Sequence, residues 1–204
     1  MNSGRGTPRK VGHLPESTDA EKAQEMSLRE VLKFPDARLR CASEPISEIT
    51  EEIRTLAQEM LDVMYDQPGI GLAAPQLGEA VRLIVVDTEW TQEGAERKPL
   101  VLVNPEILEQ RDKIVWTEGC LSVPDFEAEV ERAGSVRLRA RDLEGEEVAI
   151  DATGLQAVCF QHEIDHLDGI LFIDRISRLK RNLYVRRRKK QMRRDDEEVG
   201  ATVL

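Results

Sequence analysis

The segment Gln161-His162-Glu163-Ile164-Asp165-His166 carries the densest chemistry in this chain. Histidines at i and i+4 leave one face of a helix about one turn apart, so both imidazoles can reach a single ion. The glutamate between them lies near that ion without having to ligate it, placed to take a proton from activated water. An ordinary amphipathic helix would account for two histidines and a glutamate equally well. The chain, however, has only three histidines, and two fall at this spacing on an apolar turn with Leu155, Val158 and Cys159. Imidazoles buried there without partners would be poorly satisfied. The spacing therefore predicts a metal site at His162 and His166, with Glu163 as its base.

Two ligands do not hold a catalytic ion; three do, with a fourth position left open. No third histidine follows downstream. Upstream, Glu118-Gly119-Cys120-Leu121-Ser122-Val123-Pro124 offers Cys120 at a strand end, and its thiolate would complete a Cys-His-His set. Taken alone Cys120 reads as a small buried hydrophobe, as Cys41 and Cys159 do. A third segment, Gly69-Ile70-Gly71-Leu72-Ala73-Ala74-Pro75-Gln76, has glycines that permit close backbone approach and a small pair, Ala73-Ala74, that permits tight packing. Lacking a third glycine and carrying Pro75, it does not open a helix onto a pyrophosphate.

These segments need elements to hold them. Ser47 is placed to cap a helix whose apolar residues Ile49, Ile53, Leu56, Ala57, Met60, Leu61 and Met64 form one continuous stripe. Short β-branched runs follow at Arg82–Asp87, Leu100–Val103, Lys113–Trp116, Ser135–Ala140 and Glu147–Ile150. Thr153 then caps a second helix, Leu155–Leu167, with Gly169 at its C-terminal end. Helix, several strands, helix is an α+β order and not an alternating parallel one. Residues 1–26 are polar and aperiodic, which predicts a disordered extension.

The 204 residues suit one domain plus tails, and no uncharged apolar run approaches the ~18 residues of a membrane-spanning helix. Three cysteines argue against a disulfide-stapled secreted fold, so a reducing, cytoplasmic setting is expected. The net charge is −10, but ten Lys/Arg and no acid lie between Arg178 and Arg194. Without those ten, the rest of the chain holds 19 basic against 39 acidic residues, a net of −20. Such a segment serves either as a solvated helix end or as a tether to RNA phosphate, and the sequence leaves both open.

In this order and at this spacing, Gly69–Gln76, Glu118–Pro124 and Gln161–Gly169 resemble the three signature motifs of peptide deformylases. The resemblance covers about residues 27–180, including Phe34–Arg40, and leaves 1–26 as an extension and 181–204 as a charged C-terminal helix or tail. It implies removal of the formyl group from the N-terminal methionine of nascent polypeptides. It also implies antiparallel sheets around a central helix bearing the two histidines, flanked by an N-terminal amphipathic helix and a C-terminal one. Cys120, His162 and His166 would hold one divalent ion, Fe2+ foremost, with Ni2+, Co2+ or Zn2+ as alternatives, and Glu163 would be the base. By the same resemblance Gln76 and the Leu121 N–H would bind the oxyanion, and Glu118 and Arg132 would form a supporting ion pair. The methionine side chain would lie against Ile70, Leu155, Val158 and Cys159, with Trp116 at the mouth. A tight wall of Gly69, Gly71 and Leu72 would admit formyl and exclude larger acyl groups. Glu127 departs from relatives that carry an arginine there. In some members the C-terminal helix contacts the ribosome; neither DNA nor membrane is an expected partner.

Two rivals make different predictions. A general HExxH metallopeptidase would cut internal peptide bonds, and gives Gln76 and Cys120 no role. A non-enzymatic ribosome-associated factor would be expected to have lost some of these residues, yet all are present.

Overall fold

The structure, a computed structural model, describes the backbone of residues 28–202 and the side chains of residues 28–194. The extension expected over residues 1–26 lies outside the described residues. The fold is α+β. Five strands, β1 (Gly71–Ala73), β2 (Leu83–Val86), β3 (Leu100–Cys120), β4 (Val123–Arg141) and β5 (Glu147–Thr153), form one antiparallel sheet in chain order. Three helices accompany it: α1 (Glu51–Asp66), α2 (Gly154–Leu167) and α3 (Arg178–Thr202).

Strand β2 explains the layering. Its four residues, Leu-Ile-Val-Val, are buried throughout, as a strand covered on both faces must be. Leu83 and Val85 pack with Leu56, Ala57, Met60 and Met64 of α1. Ile84 and Val86 face the opposite way, into a core with Ala157, Phe160, Ile164 and Leu167 of α2. Because side chains alternate along a strand, one short element thus joins two helices through the sheet. A third cluster lies at the far end, where Tyr184 of α3 packs with Val123, Val130, Phe172 and Phe126.

Several sequence expectations change here. Strands expected separately at Leu100–Val103 and Lys113–Trp116 are one strand, β3, and Ser135–Ala140 is only the end of β4. The two are joined by Leu121-Ser122 into a long ribbon, and Glu109–Lys113 is exposed, so its composition hides its strand character. A single sheet therefore stands where more than one was expected among the described residues. Helix α1 begins at Glu51 with Thr50, not Ser47, in the capping position. In β4, Val136, Leu138 and Ala140 are buried while Arg137 and Arg139 are exposed. Helix α3 crosses the boundary expected at residue 180, and its anchor is Tyr184 (3% exposed), whereas Leu179 (71%) and Leu183 (57%) face outward. Among the described residues no helix is long and apolar enough to cross a membrane.

Candidate metal centre and active site

Helix α2 is buried along nearly its whole length, which puts His162, Glu163 and His166 in the interior. Cys120 is the last residue of β3, immediately before the turn to β4. The Sγ of Cys120 and one ring nitrogen each from His162 and His166 lie within 4.8 Å of one another. Nε2 of His166 is 3.2 Å from that sulfur. Nδ1 of His162 is 2.8 Å from Glu118 Oε2, so this nitrogen donates to the carboxylate and Nε2 keeps its lone pair for an ion.

One thiolate and two imidazoles form a donor set for a transition metal, not for Mg2+ or Ca2+. Nearby, the polar groups are arranged around that set. Glu118, fully buried, accepts from Arg132 Nε at 2.6 Å, and Arg132 reaches on to Asp165 Oδ2 at 2.6 Å. Asp165 is also paired with Arg175. Burial pushes the Glu118 carboxyl up, but hydrogen bonds from Arg132 and His162 and their charges outweigh it and hold the group down at about 2.

Glu163 has the opposite environment. It too is buried, its Oε2 has no hydrogen-bond partner among the described residues, and no cation is paired with it. Burial pushes its carboxyl up to about 7; His162 and Arg132 oppose the shift, and the charges of Glu118 and Asp165 add to it. Two buried glutamates lining one cavity are driven in opposite directions, one locked as an anion and the other shifted toward neutrality, where a proton acceptor and donor works best.

Gln76 sits in a short 3-10 turn after β1. Its Oε1 accepts from the Ala73 N–H at 2.8 Å, which turns its amide nitrogen toward Ser122 Oγ (3.2 Å) and Cys120 Sγ (3.8 Å). A cavity of about 690 Å³ opens onto these groups. Residues 28–182 match the sequence profile of the polypeptide deformylase family. The chain belongs to that family.

Relatives of the polypeptide deformylase family bear this out. A peptide deformylase of Afipia carboxidovorans is 53% identical over 158 residues, covering 77% of this chain and 91% of the relative. One from Rhizobium meliloti is 50% identical over 163 residues, 79% of this chain and 92% of the relative. Among solved structures, the Legionella pneumophila peptide deformylase superposes with a TM-score of 0.76 at 41% identity, covering 83% of this chain and 98% of that one. The Synechococcus elongatus enzyme, solved in complex with actinonin, gives 0.73 at 41% identity over 78% of this chain and 87% of that one.

The cavity gathers Gly69, Ile70, Gly71, Gln76, Trp116, Glu118, Cys120, Leu121, Leu155, Val158, Cys159, His162 and Glu163, all singled out from the sequence. Trp116, at 37% exposed, stands at the rim. Leu72 does not belong with them. It is fully buried, and its side chain points into the α1 core, because alternation along β1 sends it to the face opposite the α2 side. Gly71 is needed for a reason its motif only hinted at: a Cβ there would lie 2.5 Å from Glu163 Oε1 and 2.7 Å from Cys159 Sγ.

Sequence reasoning missed Ser122, Asp165 and Arg175. Asp165 carried a usable signal, an acid on a buried helical turn that must find a cation. Arg175 carried none, since it comes from beyond the helix. Also missed was the group behind Gly69, whose carbonyl accepts from the Trp90 indole at 2.9 Å. Asp87 holds that loop by accepting from the Tyr65 hydroxyl (2.9 Å) and the Lys98 N–H (2.8 Å). Arg97 stacks 4.1 Å over the Tyr65 ring. Glu127, with Pro124, Asp125 and Phe126, forms the outer wall where the β3–β4 register breaks beside Gly119.

Proposed function

We propose that this protein hydrolyses the N-formyl group from the N-terminal methionine of newly synthesised polypeptides, releasing formate, with Cys120, His162 and His166 holding one divalent ion. Fe2+ is the ion we assign first, and the same donors accept Ni2+, Co2+ or Zn2+. The observation that carries the reading is the contrast between the two buried glutamates beside those donors: Glu118 anchored by Arg132 and His162, Glu163 without a partner and shifted toward neutrality.

An ion held by Cys120, His162 and His166 would supply Lewis acidity, lowering the pKa of water and polarising the formyl carbonyl. Glu163 takes the proton of the attacking water and returns it to the departing amine. Negative charge then grows on the formyl oxygen. Gln76 Nε2, held by the Ala73 bond, and the Leu121 N–H are the donors we assign to it; losing one such donor typically costs ~3 kcal/mol. The Glu118–Arg132 pair keeps His162 in the tautomer that presents Nε2. Ile70, Leu155, Val158 and Cys159 receive the methionine side chain, with Trp116 at its outer edge. Gly69 packs closely against Leu121 and Gly71 against Glu163, and to this tight wall we assign the exclusion of acyl groups larger than formyl.

The substrate class places the activity in the cytoplasm. We assign the catalytic unit to residue 28 through about Arg188, because Tyr184 is part of the core and Arg188 Nε donates to the Phe34 carbonyl at 3.1 Å. The outward residues Arg186, Lys189, Lys190, Arg193 and Arg194 then form a basic surface for ribosomal RNA phosphate. Neither DNA nor membrane has a role in this reading. The test is formate release from formyl-Met-Ala-Ser by protein loaded with Fe2+ or Ni2+. Turnover of the formylated peptide with none of its acetylated counterpart is expected. Cleavage of internal peptide bonds, or no formate from fully loaded protein, would overturn it.

A further inference from the structure

We infer that Lys33, within the segment Leu32–Phe34, is a positioning residue for the oxyanion donors, an inference that rests on the deformylase reading above. The two donors come from different parts of the chain: Gln76 from the turn after β1, and Leu121 from the turn between β3 and β4. Neither turn belongs to a helix packed on the other. Gln76 Nε2 reaches Ser122 Oγ directly, and three consecutive residues far upstream join the two turns a second time through their backbones. The Leu32 N–H donates to the Gln76 carbonyl at 2.7 Å, and the Phe34 N–H donates to the Ser122 carbonyl at 2.8 Å. Between them, Lys33 Nζ donates to the Leu121 carbonyl at 2.7 Å.

Backbone bonds alone would hold Gln76 and Ser122 at a fixed separation. They do not reach the Leu121 carbonyl, which lies in the two-residue turn closed by the Cys120–Val123 pair. The lysine bond adds that contact, and fixing the Leu121 carbonyl sharpens the aim of the turn that also carries the Leu121 N–H. Its cost indicates that the bond matters. Lys33 is half-buried and makes no ion pair within 4 Å among the described residues, so its ammonium is directed at a carbonyl instead of a carboxylate. A charged donor to a neutral carbonyl is stronger than a neutral one, which suits a clamp on this turn. The segment is braced from its far side by Arg188 of α3, on the Phe34 carbonyl.

Donors to an oxyanion act in the transition state, so disturbing their aim lowers kcat and leaves KM nearly alone. The experiment compares Lys33→Met, which keeps the apolar stem, with Lys33→Arg, which keeps a charged donor, using Ni2+-loaded enzyme and formyl-Met-Ala-Ser. Lys33→Met should lose about tenfold in kcat, an order of magnitude below outright removal of a donor, with KM within twofold and full metal content. Lys33→Arg should recover to within about threefold of the parent. Amide hydrogen exchange over residues 118–124 should speed up in Lys33→Met and return in Lys33→Arg, a readout that does not depend on turnover. If Lys33→Met is recovered unfolded, Lys33→Gln takes its place. A kcat within twofold of the parent overturns the inference alone, as does a loss that Lys33→Arg fails to restore or one that falls on KM. A fully loaded parent that releases no formate overturns the deformylase reading, and the inference with it.

Discussion

Gly71→Ala tests whether Glu163, the base we propose, is held in place by the absence of a side chain on β1. The added methyl would sit 2.5 Å from Glu163 Oε1, 3.0 Å from Glu163 Cδ and 2.7 Å from Cys159 Sγ. Against an optimal separation of ~3.5 Å, one of the groups must recede by roughly 1 Å. The helix cannot supply that movement cheaply, because α2 is buried on β1, β2 and β4 by Ala157, Phe160, Ile164 and Leu167. Glu163 itself is the movable group, having no hydrogen bond to its Oε2. Misplacing a reacting group by about 1 Å costs on the order of 100-fold, equivalent to about 2.7 kcal/mol of barrier. Gly71→Ala should therefore bind metal as the parent does and release formate from formyl-Met-Ala-Ser about 100-fold more slowly. Adding Cys159→Ala should restore little of it, since the closer obstruction is the carboxylate. A single variant with near-parental kcat, or a double variant restored to it, would refute the reasoning.

Four further outcomes are expected. Glu163→Gln keeps the shape without the basicity, so it should retain the ion by elemental analysis and lose at least ~100-fold in kcat; parental turnover at full occupancy would contradict the assigned role. Glu118→Gln should destabilise the metal-free protein by about 3–5 kcal/mol at pH 6, because it strips Arg132 of a buried partner. Since the Glu118 pKa in the fold lies below its ordinary value, the parent's advantage is complete above about 4.5 and drains away as pH falls toward about 2. Urea titrations at pH 6, 4 and 2.5 should show the gap between the two proteins closing, and a gap independent of pH would exclude this origin. Truncation after Ile176 should lower both thermal stability and deformylation, because it removes Tyr184 from its core and frees the wall held by Arg187 on the Asp125 carbonyl. Truncation after Arg188 should spare hydrolysis of the short peptide and weaken salt-sensitive ribosome co-sedimentation, and equal loss from both cuts would refute the division of α3.

Much of the site was legible because its residues obey local rules. His162 and His166 are one turn apart, and helical periodicity alone brings them to one face. The join between Cys120 and those histidines is not local; it required family resemblance, since nothing in the spacing says that the β3–β4 turn lies over α2. Strand β1 was unreadable as a strand because Gly71, Leu72 and Ala73 lack the β-branched bulk that marks one, although that lack is what lets Glu163 approach. The exposed stretch of β3 was unreadable for the opposite reason, a run of charge along a sheet edge with its side chains in water. Leu72 was misassigned because a motif read as a unit conceals the alternation that turns every second side chain away. Lys33 and Trp90 act from outside the motifs, where a single sequence gives no reason to look.

The donor atoms of Cys120, His162 and His166 are assembled by apolar packing, helix α2 against the sheet and Cys120 against the cluster of Val123 and Phe172, with Cys120 and His162 42 residues apart in the chain. A site that the core prepares in this way does not depend on its ion to fold, unlike a zinc finger, whose ligands meet only when metal joins them. Uptake is then separable from folding, and the ion can exchange against the cell's pool while the chain stays native. Thiolate and imidazole bind the divalent series in a general order of affinity, so site geometry together with the ions available would decide which one is resident. The same polypeptide would accordingly carry different metals in cells with different metal supply.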